Sequence, residues 1–173
     1  MSGSLGHLSR RFLGSLRPGG PSPIDAAWAE SNLLPGEVAL WRRMSNPDRR
    51  HAAGVARRVE RSLGHEADRP VIAAALLHDV GKVESGLRTY GRVIATVSAM
   101  VVGRSHAQAW AEGRGFTRKV GLYLMHPALG GDLLALAGSD PLTIAWTREH
   151  HLPSDRWTLP PKVAASLEAA DDD

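Results

Sequence analysis

Cysteine is absent from this chain of 173 residues, which excludes disulfides and thiolate ligands together. Any metal it holds must be bound through nitrogen and oxygen. Aromatic residues make up only 5%, so the core has to be built mainly from Ala, Val and Leu, a composition that favours close helix–helix packing. No stretch reaches the roughly 18 consecutive apolar residues that a membrane span needs. The basic start, with His7, Arg10, Arg11 and Arg17, is not followed by an apolar segment of signal-peptide length, and a cytoplasmic location is expected. Runs of alternating β-branched residues are missing too, so no sheet is expected. A strong charge of one sign is also lacking. The net charge is +3 despite a pI near 9.8, because acidic residues are mixed among the arginines. Such a field can favour anionic, phosphate-bearing ligands. It falls short of the concentrated basic stripe of a nucleic-acid binder, and no nucleic-acid partner is expected.

What the chain does have is helical periodicity and helix punctuation. Residues 1–23 read as a flexible basic arm. Leu5, Leu8, Phe12 and Leu16 recur at helical spacing before the Pro18-Gly19-Gly20-Pro21-Ser22-Pro23 stop. Such an arm could touch an anionic membrane surface or pack on its own domain. Residues 24–173 read as one all-α domain, a helical bundle. A short helix opens at Pro35-Gly36-Glu37. Asn46-Pro47-Asp48 starts a longer one, with Asn46 as N-cap, an apolar face of Ala52, Val55, Ala56 and Val59, and a stop at Gly64. The next helix spans about Arg69 to Asp79, with Gly81 as its C-terminal cap. Further helices are predicted over 87–112, from Phe116 to Met125, from Pro127 to Leu136 after a break at His126, from Pro141 to His150 with Asp140 as cap, and from Lys162 to Ala170.

The most informative residues are His78-Asp79-Val80-Gly81-Lys82. An apolar run from Val71 to Leu77 delivers a histidine and an aspartate side by side. Burying that pair unsatisfied would cost several kcal/mol, and a divalent metal satisfies both side chains at once. Of eight histidines, His51, His78, His126, His150 and His151 fall near the ends or inner faces of separate predicted helices, as a metal site in a bundle core requires. Asp79 can bridge two ions through its two oxygens. His7, His65 and His106 match nothing in this pattern and are expected to face solvent. Trp146, one turn before His150, is placed to wall the site.

A histidine, an adjacent His-Asp pair and a distant aspartate on helices resemble the HD-domain superfamily of metal-dependent phosphohydrolases. His51, His78, Asp79 and Asp171 fit that order, and HDVGK looks like the HD-x-G-K variant of the motif. His126 in HPALGGDLL and the pair His150-His151 resemble the additional ligands of binuclear members, including the HD-GYP branch. The resemblance spans about residues 46–173, the expected metal core. It implies that His51, His78, Asp79 and Asp171 hold a first ion, with Asp172 as the alternative to Asp171. A second ion would be held by Asp79, His126, His150 and His151. The ions would be divalent transition metals such as Fe, Mn, Zn, Ni or Co, and the substrate a small phosphorylated molecule, with a nucleotide first in line. Asp79 and Lys82 would carry the catalysis, Lys82 facing the substrate phosphate as a compact point charge; the plainer reading is that Lys82 complements a helix C-terminus.

Two departures bear on the substrate. The stretch after His151 reads LPSDRWTLPP, so the GYP signature of cyclic-di-GMP phosphodiesterases is missing, and Pro47 stands one turn before His51 where some members carry glutamate. Two further readings of the same residues are a catalytically silent, nucleotide-sensing module and a di-iron oxygenase.

Overall fold

The computed structural model describes residues 19–87 and 107–172. Most of the predicted arm, the larger part of the helix predicted over 87–112, His7, His106 and Asp173 lie outside the described residues. Within them the chain is all-α, and no strand is present. The helices are α1 (Pro23–Ser31), α2 (Pro35–Arg43), α3 (Asn46–Leu63), α4 (Arg69–Leu77), α5 (Ala107–Ala111), α6 (Gly115–Leu124), α7 (His126–Leu136), α8 (Pro141–Glu149) and α9 (Pro161–Asp172). A 3-10 turn, Val80–Ser85, follows α4.

Proline sets most of the starts. Helices α1, α2, α3, α4, α7 and α8 each carry a proline in their first two positions, where its missing N–H costs nothing and its φ is already helical. Side-chain caps then fix the entry. Ser45, not Asn46, caps α3, its Oγ accepting from the Asp48 N–H, so Asn46 is already the first helical residue. Asp140 accepts from the Leu142 N–H at 2.9 Å, capping α8 as its sequence predicts. The stop at Gly64 is also as predicted, with φ of 56° in a region that disfavours side chains.

Helix α4 is the centre of the bundle. Every residue from Val71 to Leu77 is buried, which is what a helix apolar on all sides requires. Helices α3, α8 and α2 pack around it, and α9 covers the other face of α3. The α3 stripe of Ala52, Val55, Ala56 and Val59 is buried as predicted. Thr143 ties the start of α8 to the start of α4 by donating its hydroxyl to the Pro70 carbonyl at 3.0 Å. The 3-10 turn after α4 is wedged between α6 and α7. The ends of α4 and α8, the start of α7, the first turns of α3 and the last turn of α9 therefore meet at one end of the bundle.

Gly81 has a role other than the predicted cap. It is absent from the positive-φ glycines, and α4 is capped by His78 in ordinary helical geometry. A Cβ on Gly81 would lie 2.0 Å from the His126 carbonyl oxygen and 2.6 Å from the Gly130 nitrogen. The glycine is there so that the 3-10 turn can touch the backbone of α7. Gly81→Ala is therefore expected to cost about 3 kcal/mol or more, as overpacking against rigid backbone does. Gly54 on α3 meets nothing closer than an Arg58 side-chain nitrogen at 3.5 Å, so Gly54→Ala is expected to be neutral or to stabilise by about 0.5–1 kcal/mol through helix propensity. Urea unfolding of the two variants checks the contrast.

Candidate metal centre

Three histidines reach the site through the same local device. The last carbonyls of a helix have no intrahelical partner. His78 and His150 stand at the C-caps of α4 and α8, and His126 follows the end of α6. Their Nδ1–H groups donate to carbonyls three residues back: His78 to Ala75 at 2.9 Å, His126 to Tyr123 at 2.7 Å and His150 to Thr147 at 3.0 Å. A carbonyl only accepts, so each Nδ1 must carry the proton. Each Nε2 then points into the interior, and none of the three has a hydrogen-bond partner there.

What faces those nitrogens is Asp79. Its Oδ1 lies 3.2 Å from His126 Nε2 and 3.8 Å from His150 Nε2. Its Oδ2 lies 3.4 Å from His78 Nε2 and is ion-paired with Lys82 Nζ. Beyond His78, Asp171 Oδ1 stands 3.5 Å away and accepts from His51 Nε2 at 2.8 Å. The candidate ligand atoms fall into two groups that share Asp79: Asp79, His126, His150 and His151 in one, and His51, His78 and Asp79 in the other, each within 4.8 Å. Asp171 joins the second group through its contacts to His51 and His78; Asp172 is exposed. The ring centroids run 5.8 Å from His51 to His78, 5.3 Å on to His150 and 4.0 Å on to His151. All seven residues expected as ligands are thus brought together. Trp146 is buried with its ring 6.3 Å from that of His150, and His65 is exposed.

These atoms fit a cation. Imidazole lone pairs facing carboxylate oxygens at 3.2–3.8 Å repel unless a proton or metal ion lies between them. The carbonyl ends of α4, α6 and α8 also converge here, where the helix dipoles favour positive charge. Nitrogen and oxygen donors without thiolate suit a divalent transition ion. The buried His/Asp groups can therefore hold a metal ion.

Lys82 is not turned outward. Its ammonium pairs with Asp79 Oδ2 and lies 5.9 Å from the centre of the Tyr123 ring. Burial works to raise the Asp79 carboxyl, but the charges of Lys82 and His78 hold it well below the usual carboxylate range. Burial also works against the His78 imidazolium, and the carboxylates of Asp79 and Asp171 outweigh it, lifting His78 to about 9. Burial pulls His126 down to about 4, against the opposing pull of Asp79. In the metal-free protein the proton on His78 Nε2 occupies the space between two carboxylates, and an ion bound there must expel it.

A pH dependence follows for metal-free protein. The raised pKa of His78 contributes stability that is complete below 6.5 and is lost as pH rises through about 9. The lowered pKa of His126 means that the unfolded chain binds the extra proton, so stability falls as pH drops from 6.5 to about 4. Each effect is on the order of 3 kcal/mol at about 1.4 kcal/mol per pH unit. The melting temperature of chelator-treated protein is expected to peak between about pH 6 and 7 and to fall on both sides.

Sequence reasoning missed the carbonyls of Ala75, Tyr123 and Thr147 that orient the rings, and the role of Gly81. It also missed Arg148 and Asp132 at the edge of the site, joined at 2.8 Å; only the helix-end position of each histidine signalled the first of these. The fold and site together define an all-helical protein with a buried, histidine-rich centre able to bind metal. Comparison with family models, with curated proteins and with solved structures returns no match. Among the described residues, no helix is long and apolar enough to cross a membrane.

Proposed function

We propose that this chain is a metal-dependent phosphohydrolase of the HD type, holding two divalent transition ions and cleaving a phosphate ester of a small molecule. The observation that carries the reading is the sharing of Asp79 between two groups of histidines, the arrangement that a pair of ions bridged by one carboxylate needs. His51, His78, Asp79 and Asp171 would hold one ion, and Asp79, His126, His150 and His151 the other. Bound there, the ions supply an activated water and neutralise charge on the phosphoryl group. The protein's part is to fix the ligands. The carbonyls of Ala75, Tyr123 and Thr147 lock the His78, His126 and His150 tautomers, and the contact between Gly81 and the α7 backbone holds His126 against Asp79.

Lys82 has a second task in this reading. Its ammonium balances Asp79 in the metal-free protein. With ions held at Asp79, the Lys82 charge would be available to a substrate phosphate. Lys82→Met is expected to bind metal at least as tightly as the wild type and to lower kcat by about a hundredfold, the scale of losing one preorganised charge donor.

The test is phosphate release by protein reconstituted with Mn, Fe, Co, Ni or Zn, over phosphomonoesters, phosphodiesters and nucleotides, beside Asp79→Ala. Metal-dependent turnover that Asp79→Ala loses supports the reading. A metal-loaded protein that cleaves none of them, and instead binds nucleotides without turnover or consumes oxygen, rules it out.

A further inference from the structure

Resting on that phosphohydrolase reading, we infer that the substrate is the phosphate monoester of an apolar alcohol, whose hydrocarbon part lies in the cavity beside His151. A substrate that offers its phosphate to the ions must place the rest of itself in space continuous with them. His151 belongs both to the candidate ligands and to the lining of a neighbouring cavity. Its ring lies 4.0 Å from that of His150 and 5.2 Å from that of His126, and it also lines an open cavity of about 310 Å³. That space holds roughly ten water-sized groups at about 30 Å³ each, enough for an alkyl chain or a pair of fused rings.

The walls decide what enters. They are Leu124 at the end of α6, Met125 in the link, Pro127 and Ala128 in the first turn of α7, and Leu152 beyond α8. Among the described lining residues no side chain carries an amide, a hydroxyl or a stacking ring other than His151. A nucleobase placed here would find no amide or hydroxyl side chain to read its edge, so the described lining holds nothing that selects one. An apolar group loses nothing on entry, and the flexible Met125 side chain can adapt to its shape.

Arg148 closes the rim. Its guanidinium donates to Asp132 at 2.8 Å. Its stem runs so close to Gly131 that a Cβ there would lie 2.3 Å from Arg148 Nε and 2.6 Å from Cγ. Arg148 thus lines the cavity with its charge paired to Asp132. In the reaction the oxygen of water bonds to phosphorus as the P–O bond to the alcohol breaks, and a proton given up by that water passes to the leaving oxygen, so the products are inorganic phosphate and an uncharged alcohol.

The test uses the metal-loaded full chain and measures kcat/KM for methyl, propyl, hexyl and naphthyl phosphate and for adenosine and guanosine monophosphate. Alongside it, calorimetry measures the binding of methyl- and hexylphosphonate. The cavity is open to solvent, so kcat/KM should rise about twofold per methylene, less than the roughly fourfold of complete burial, and hexyl phosphate should exceed both nucleotides at least tenfold. Ala128 is exposed, and Ala128→Trp should fill the cavity without unfolding the chain. It should erase the advantage of hexyl over methyl phosphate in both turnover and phosphonate binding. Nucleotides turned over as well as hexyl phosphate, or a length dependence unchanged in Ala128→Trp, would overturn the inference. No turnover of any ester, with chain-length-dependent phosphonate binding intact, would instead sink the hydrolase reading and leave the apolar cavity standing.

Discussion

An Asp79→Ala chain is expected to bind transition ions more than about a hundredfold more weakly than the wild type, at both positions, and to be less stable by about 3–5 kcal/mol. Both effects come from the same atoms. Oδ1 faces His126 and His150 at 3.2 and 3.8 Å, while Oδ2 faces His78 at 3.4 Å and pairs with Lys82. Removing the carboxylate takes a ligand from each ion, and the remaining histidines cannot offset the ions' charge. It also leaves the Lys82 ammonium, 14% exposed, without its counter-charge, and an uncompensated buried charge costs about 3–5 kcal/mol. The two effects separate in the double variant. Asp79→Ala with Lys82→Met should recover most of the lost stability, since no buried charge remains, and should recover none of the metal affinity. Urea unfolding reads the first quantity and titration calorimetry the second. If the double variant binds metal like the wild type, Asp79 is no ligand.

The second large effect is stabilisation by the ions themselves. His78 and His126 are buried with Nε2 atoms that lack a hydrogen-bond partner and face the buried Asp79 carboxylate, and the unfolded chain has no such constellation. A ligand at a hundred times its dissociation constant adds about 2.7 kcal/mol per site. For a chain of this size each kcal/mol moves the midpoint by about 2–4 °C. Saturating Mn, Ni or Zn is therefore expected to raise the melting temperature by roughly 5–10 °C for the first ion alone, and a chelator should reverse it. The gain should shrink progressively as pH falls below about 9, because the ion competes with the proton on His78, whose imidazole titrates near 9. A melting temperature indifferent to ions and chelator across pH 6–9 would contradict the account.

Much of this was legible from local signals. Proline at a helix start, the apolar period of α3 and the uniformly apolar α4 depend on residues a few positions apart, so the all-α architecture could be read directly. The candidate ligands were legible for a related reason. A histidine just past a helix end already has a carbonyl to bond, and the chain places three in that position. What could not be read depends on distant backbone. Gly81 resembles a helix cap, and its actual constraint, the His126 carbonyl 2.0 Å from where its Cβ would be, lies on a helix that begins 45 positions later. Ser45 and Asn46 are both good caps by type, and only the backbone geometry chose Ser45. The cavity beside His151 was hidden because its walls come from α6, α7 and the segment after α8, each apolar for ordinary reasons.

The central claim is that Asp79 joins two ion sites in one buried centre. Elemental analysis of protein purified after reconstitution with a single transition metal, with His51→Ala and His126→Ala beside the wild type, tests it most directly. The account predicts two ions per chain in the wild type and one in each variant, because His51 and His126 stand on opposite sides of Asp79. A wild type that retains no ion, or variants that retain as many as the wild type, would contradict it.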